Sequence, residues 1–466
     1  MITISIENNS QQPIYIQIYE YIKREILSGQ LQAPAKLPST RSLAAHLEVS
    51  RTTVETAYEQ LVAEGYVEAK EKRGYFVIPV THLQQFHSNT TSIVTVPAPP
   101  IPEQARLFDF NPDMIDAEHF PYSIWKSLGK NQIDSADNFI AGEHFGDYRL
   151  RQAIAGYLRG SRGVQCSPEY VVVGAGLDHL LQMLCLVFER RTPVAMEDPG
   201  YPSARQVVLA NGYDVIDIPL HNYSFDTQAL ARSDADICYV TPSHQFPLGF
   251  VMPVSRRQEL LRWADEKAGR YIIEDDHDSE FRYKGRPIPS LHSLDTKNKV
   301  IYIGTFSKAV SPAIRTSYMV LPETLFSQYK NLCGGFSCPV PRFIQSLLTD
   351  FIDGGYFEKH LNRMRKIYKG KHDFMLQKVK QYFPEERAEI SGDHAGLYII
   401  FHYKGVLSEQ EIAIRAKKAG ILLHPLRNYY ASLPVGYKPA YLLGFANLNT
   451  DMIAQGIRCL AEQVFV

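Results

Sequence analysis

The sequence breaks between Thr81 and Pro102, and that break constrains the fold more than any other feature. Up to Pro79 the text is dense and periodic. Beyond it Gln, Ser, Thr, Val and Pro take over, ending in Thr95-Val96-Pro97-Ala98-Pro99-Pro100-Ile101-Pro102. Proline-rich chain favours the extended polyproline II conformation and acts as a semi-rigid spacer. The chain is therefore expected to hold two units, 1–80 and 107–466, joined by a linker over 81–106.

With 466 residues and 45% hydrophobic content, the units can bury sizeable cores. The formal net charge of −1 offers no general attraction for nucleic acid, so any DNA-binding surface must be local. Residues 1–80 carry eight Lys or Arg against nine Asp or Glu, so charge placement has to do the work there. The six cysteines are scattered without zinc-like spacing and read as reduced thiols, with no metal site expected. Met1 to Ser10 has no secretory pattern. The longest apolar run, Leu180 to Phe188, is too short for a bilayer and contains Gln182. A cytoplasmic location without membrane contact is expected.

In the first unit, Tyr15, Ile18, Ile22 and Ile26 recur at helical spacing and stop at Ser28-Gly29. A second helix follows Pro38-Ser39 with Leu43, Ala44 and Leu47 inward. A third, capped by Ser50, places Val54, Ala57, Tyr58 and Leu61 on one face. Gly65 to Ile78 alternates and turns through Gly74, which suits a two-stranded wing. A short helix held by two others can enter the major groove with its N-terminal residues at base edges. Arg51, Thr52 and Thr53 occupy that position, whereas Lys36, Ser39, Arg41, Lys70, Lys72 and Arg73 suit phosphates.

The ordered string Gly29-Gln30-Leu31, Leu37-Pro38-Ser39-x-Arg41-x-Leu43-Ala44, Val49-Ser50-Arg51-x-Thr53-Val54 and Leu61-x-x-Glu64-Gly65 resembles the GntR family of winged helix-turn-helix regulators. The resemblance implies DNA binding by this unit.

After Leu107, β-branched runs alternate with helix-length segments, the pattern of a mostly parallel α/β sheet. Thr305-Phe306-Ser307-Lys308 follows the apolar run Val300 to Gly304, and a partly desolvated lysine at a strand end can form a Schiff base with an aldehyde. Tyr271-Ile272-Ile273-Glu274-Asp275 ends another strand in carboxylates, where a parallel sheet opens its ligand crevice. A buried carboxylate there keeps a pyridine nitrogen protonated. Gly174-Ala175-Gly176 leads from strand to helix and offers backbone N–H groups to a phosphate. Arg315 suits the same anion, and Tyr201 can stack on a ring.

These residues are similar to fold-type I aminotransferases, and closer still to the MocR subfamily that joins such a domain to a GntR-type head. Further matching stretches are Glu197 to Tyr201, Thr241-Pro242-Ser243-His244-Gln245-Phe246-Pro247-x-Gly249, Glu274-Asp275-Asp276 and Gly444-Phe445-Ala446. The resemblance implies a large α/β domain with a small C-terminal α+β subdomain, a homodimer, and pyridoxal 5′-phosphate as cofactor. Lys308 would be the Schiff-base lysine, Asp275, in preference to Asp276, the pyridinium partner, and Tyr201 the stacking ring. Gly174, Ala175, Gly176, Thr305, Ser307 and Arg315 would surround the phosphate, with Gln245 and His277 also at the cofactor.

Two departures bear on function. His277 stands where the subfamily commonly has a tyrosine. The run Ala440-Tyr441-Leu442-Leu443 also lacks the arginine with which aminotransferases usually bind a substrate carboxylate. Arg427 is the substitute considered for an effector's carboxylate. The expected function is a DNA-binding transcription regulator that senses pyridoxal phosphate, an amino acid, or both. The alternative is a working aminotransferase with an appended DNA-binding head.

Overall fold

The computed structural model describes residues 4, 12–79, 108–188, 192–221, 224–283 and 288–466. The expected linker over 81–106 lies outside the described residues. The chain divides into two compact units, Met1–Glu103 and Gln104–Val466, a division that falls inside the expected linker.

In the first unit α1 (Ile14–Leu27), α2 (Thr40–Leu47) and α3 (Arg51–Ala63) precede a hairpin of β1 (Val67–Lys70) and β2 (Gly74–Val77). The apolar stripes read from helical spacing close on one another: Ile18, Ile22, Val54, Ala57, Tyr58 and Leu61 are fully buried. Ser39 and Ser50 cap α2 and α3, accepting the N–H groups of Ser42 and Thr53, each at 3.1 Å. The Tyr58 hydroxyl donates to Pro38 O at 3.0 Å and ties α3 to the start of α2. The wing has an element the alternation does not announce. The backbone at Lys36 bridges Phe76, with Leu37 N–H donating to Tyr75 O and Val77 N–H to Ala35 O, both at 2.9 Å.

The second unit is built on an eight-stranded sheet, in the order β4 (Val171–Gly174), β11 (Ser317–Val320), β10 (Val300–Thr305), β9 (Tyr271–Asp276), β8 (Ile237–Val240), β5 (Val194–Asp198), β6 (Val215–His221) and β7 (Ser224–Phe225). Only β11 and β7 run against their neighbours; the other pairings are parallel. Both faces are covered, so the strands read as nearly continuous apolar runs. Along β10, Ile301 and Ile303 pack toward α6 (Leu177–Val187), α7 (Pro202–Ala210) and α10 (Glu323–Cys333). Tyr302 packs toward α5 (Tyr148–Arg162), α11 (Arg342–Asp353) and α12 (Tyr356–Tyr382), and Val300 toward α8 (Thr227–Arg232) and α9 (Val254–Asp265).

A smaller antiparallel sheet follows, in the order β12 (Ala388–Ser391), β13 (Tyr398–Tyr403), β16 (Ala440–Gly444) and β15 (His424–Pro425), flanked by α13 (Glu409–Lys418) and α14 (Thr450–Cys459). The first described strand of the unit, β3 (Phe108–Asp109), pairs in parallel with β14 (Ile421–Leu422). Residues 108–113 are thereby fixed to the C-terminal part of the chain before α4 (Tyr122–Ile133) begins. Among the described residues no helix is long and apolar enough to cross a membrane.

Candidate functional site

At the carboxyl ends of the parallel strands the second unit holds a cavity of about 300 Å³. Gly176, Tyr201, Asp275, His277, Thr305, Ser307, Lys308 and Arg315 all line it, each delivered by the segment that follows or ends a strand of the large sheet. The crevice rule for open α/β sheets explains why residues spread over 140 positions meet here.

One end is built for an anion. Gly176 sits at the N-cap of α6 with φ +97°, and no side chain caps the helix, so its first N–H groups are left for a ligand. A Cβ added to Gly176 would meet Arg315 Nη2 at 2.7 Å; the glycine makes room for the guanidinium. Arg315, itself left-handed at φ 46°, donates from Nη2 to Ala175 O at 3.1 Å. The hydroxyls of Thr305, Ser307 and Ser317 form a chain beside it, at 3.0 and 2.8 Å.

The other end is acidic. Asp275 is 5% exposed, lines the cavity, and accepts a short hydrogen bond from the Tyr239 hydroxyl on the adjacent strand. Burial pushes its carboxyl up to about 6; Asp276 and Asp278 add to this, while His277 and the Tyr239 bond oppose it. A buried carboxylate to which, among the described residues, no cation is bonded fits a protonated ring nitrogen. Asp276 faces the opposite side of the strand, held by Arg162 Nε at 2.7 Å and the Tyr302 hydroxyl at 2.6 Å.

Lys308 Nζ donates to Asp113 Oδ1 at 2.9 Å and to Pro112 O at 3.0 Å. Burial works against the Asp113 charge, but the Lys308 ammonium beside it holds that carboxyl below the usual range, with His277 and His424 assisting. His277 has its Nε2 3.2 Å from Asp278 Oδ1 and its ring stacked on His244 at 5.8 Å. His244 Nδ1 bonds the same carboxylate at 2.8 Å. Burial opposes charge on Asp278, yet His244 and His277 keep its carboxyl well below the ordinary value. Tyr201 lies edge-on to Phe246, with centroids 5.3 Å apart.

Four expected residues are not brought to the cavity lining. Gly174 ends β4 one step behind it, where a Cβ would strike Leu180 and His179. Ala175 contributes its carbonyl to Arg315 and does not itself line the space. Gln245 is fully buried; its amide donates to Pro199 O at 2.9 Å and Phe246 O at 2.7 Å, accepts Leu248 N–H at 2.9 Å and also bonds the Glu197 carboxyl. It clasps the loop after β8. Arg427 lies on the surface, paired with Glu409 at 2.6 Å, and does not line the cavity.

Asp113, Asp278 and Tyr398 also line the cavity, as do Thr241 and Phe246, which the sequence offers only as part of a matching stretch. Asp278 was findable, since it adjoins His277 just past the carboxylate strand. Asp113 was not, because nothing in its local sequence points to Lys308.

On the first unit, Arg51 and Thr52 are exposed at the start of α3, and Lys36, Arg41, Lys72 and Arg73 are exposed elsewhere on the same unit. Arg51 Nε donates to Glu55 Oε1 at 2.7 Å, leaving its terminal nitrogens outward. Thr53 is half-buried, with its hydroxyl 2.7 Å from Ser50 Oγ. The exposed Ser39 accepts the Ser42 amide on its hydroxyl oxygen at 3.1 Å as the cap of α2. Lys72 occupies the wing turn at φ 58°.

The donor set fits an aromatic aldehyde carrying a phosphate. The Gly176–Arg315 cradle and hydroxyl chain suit the phosphate, the cation-less Asp275 suits a pyridine nitrogen, and Lys308 suits the aldehyde. Comparison with known proteins agrees. Residues 14–77 match the family described as bacterial regulatory proteins, gntR family, and residues 116–442 match aminotransferase class I and II. The HTH-type transcriptional regulator YdeL of Bacillus subtilis is 39% identical over 96% of both chains. The probable rhizopine catabolism regulatory protein MocR of Rhizobium meliloti is 32% identical over 98% of this chain and 94% of its own. The kynurenine aminotransferase of Pyrococcus horikoshii, solved in complex with PMP, superposes with a TM-score of 0.69 at 26% identity, covering 78% of this chain and 91% of its own.

Proposed function

The chain belongs to the MocR-type regulators of the GntR family, and from that membership we propose that its DNA binding responds to pyridoxal phosphate held at Lys308, alone or together with an amino acid. One observation carries the reading: Lys308, Asp275 and the Gly176–Arg315 cradle converge on a single cavity in a chain that also carries a DNA-reading head.

When bound, pyridoxal phosphate supplies an aldehyde carbon open to amines and a ring that withdraws electrons. The residues divide the work of holding it. Arg315, Thr305, Ser307 and the first amides of α6 bind the phosphate. Asp275, oriented by Tyr239, would keep a proton on the ring nitrogen, and Tyr201 would pack against the ring. His277 would donate to the ring oxygen, and Lys308 would provide the amine. On the head, Arg51 and Thr52 read bases while Lys36, Arg41, Lys72 and Arg73 contact phosphates.

A regulator is favoured over a working aminotransferase by the cavity's lining. Among the described residues Arg315 is the only arginine on it, and Arg427 is engaged with Glu409 elsewhere. Turnover of amino acids calls for a second fixed cation for the substrate carboxylate. Exposed Phe139, Ile140 and Phe336 suit burial against a second copy, so the functional unit proposed is a cytoplasmic homodimer.

The test is an absorption titration of the purified chain with pyridoxal phosphate, alongside Lys308→Ala. Uptake with a visible band that Lys308→Ala lacks supports the reading; no band in the intact chain refutes it. Adding amino acids to the loaded protein then separates the alternatives. A stable new band marks a sensed ligand, and progressive loss of absorbance to the amine form marks an aminotransferase.

A further inference from the structure

We propose that the Lys308–Asp113 ion pair is a latch on the segment where the chain enters the large unit, and that covalent engagement of Lys308 opens it. The inference rests on the cofactor reading above and extends it to regulation.

Residues 108–113 are held by several bonds, among them a contact of His424 Nε2 with Asp109 Oδ1 at 3.2 Å, and two further holds bear on the latch. Their backbone is sewn to the C-terminal part of the unit: Phe110 N–H donates to Leu422 O at 3.3 Å, Gly444 N–H donates to Phe110 O at 2.9 Å, and β3 pairs with β14. Gly444 is glycine because a Cβ there would collide with the carbonyl of Asn111. The second hold is Lys308, whose ammonium grips both Pro112 O and Asp113 Oδ1. Only this second hold depends on the chemical state of a reactive group.

An ammonium offers three N–H donors and a full positive charge. When Lys308 condenses with an aldehyde, its nitrogen forms a double bond to the carbonyl carbon and the carbonyl oxygen leaves as water. Nζ then keeps at most one proton. It cannot bond Pro112 O and Asp113 together, and the bond given up under the proposal is that to Asp113, whose side chain is 58% exposed and free to turn to solvent. The change is reversible in a specific way. If another amine attacks the same carbon, the carbon's bond to Nζ breaks, two protons from the incoming nitrogen end on Nζ, and Lys308 is again free to hold Asp113. The latch thus distinguishes the free protein and the amine-challenged protein, both closed, from the loaded protein, which is open. The expected linker joins the unit directly before this segment.

The experiment is hydrogen exchange of the full chain, read by mass spectrometry on the peptide covering 108–114. It is run without cofactor, with pyridoxal phosphate, and with pyridoxal phosphate followed by hydroxylamine, which captures the aldehyde carbon and frees the lysine. Loading should speed exchange roughly threefold to fivefold, the scale of one partly exposed ion pair. Hydroxylamine should restore the slow rate. Asp113→Ala and Lys308→Ala should exchange fast without cofactor, and Asp113→Ala should show no further change on loading. Asp113→Asn, which keeps the shape, replaces Asp113→Ala if circular dichroism shows the latter unfolded. Equal or slower exchange on loading, with an absorption band proving that Lys308 is engaged, overturns the latch and leaves the cofactor reading intact. Absence of any band overturns both.

Discussion

Asp275 and Asp276 are neighbours on one strand and face opposite sides of the sheet. Asp275 enters the cavity under the hydroxyl of Tyr239, and Asp276 is locked to Arg162 and Tyr302 in the interior. Strand pleating assigns them different work. Asp275→Asn should fold normally and lose affinity for pyridoxal phosphate. Asp276→Asn strips the partner from a buried guanidinium and should destabilise the fold by about 3–5 kcal/mol. Urea unfolding and cofactor titration of both variants check this; equal effects of the two on cofactor binding would contradict it.

The cofactor-free protein should lose stability as pH rises through neutrality. Burial raises Asp275 to about 6, and Glu197, Glu274 and Glu280 to about 7. A carboxyl raised by folding contributes stability that is intact below its unfolded value near about 4 and is lost as pH climbs through the folded one. Asp113 and Asp278 are shifted downward, so their contribution is lost only in acid, below this window. His179, His292, His360 and His402 are lowered by burial and act in the opposite sense below their unfolded value of about 6.5. Melting temperatures should therefore fall from about pH 6.5 to 8, where the carboxyls raised to about 7 still titrate. A melting temperature that rises across that range would be inconsistent with these shifts.

Gly176→Ala should weaken cofactor retention more than any effect on folding suggests. The new methyl group must displace Arg315 from its place at 2.7 Å and adopt φ +97°. Gly212→Ala, also at positive φ but with open space around it, controls for backbone strain alone. Dialysis of both loaded variants should show faster cofactor loss only for Gly176→Ala.

Arg427→Ala should leave the spectral response to amino acids unchanged, because its guanidinium is committed to Glu409 outside the cavity. A response abolished by this substitution would restore Arg427 to the ligand site.

On the head, Arg51→Ala should relax sequence preference at a cost of about 1–3 kcal/mol on the preferred site. Arg73→Ala should weaken all duplexes about equally and reduce the salt dependence. Selection from a randomised duplex library followed by binding measurements distinguishes them. Equal losses on selected and random DNA for Arg51→Ala would refute the division.

Local grammar explains what could be read ahead of the structure. Helical spacing of Ile18, Ile22 and Val54, the Ser50 cap, and apolar strands ending in Asp275 or leading to Lys308 are each short-range signals, and all of them reappear in the fold. What stayed hidden depends on direction or distance. Gln245 and Arg427 have suitable chemistry but face the backbone and Glu409. The bridge from Lys36 to Phe76 needs the folded wing. Asp113 meets Lys308 only because β3 is carried to β14, a pairing between the two ends of the unit.

The central claim is that the state of Lys308 governs DNA binding, and one measurement addresses it directly. Binding of the full chain to a duplex selected from the randomised library should be followed with and without saturating pyridoxal phosphate, for the intact chain and for Lys308→Ala. Different affinities in the two conditions are expected for the intact chain and one common affinity for Lys308→Ala. Identical binding by the intact chain in both conditions, with its cofactor band present, would contradict it.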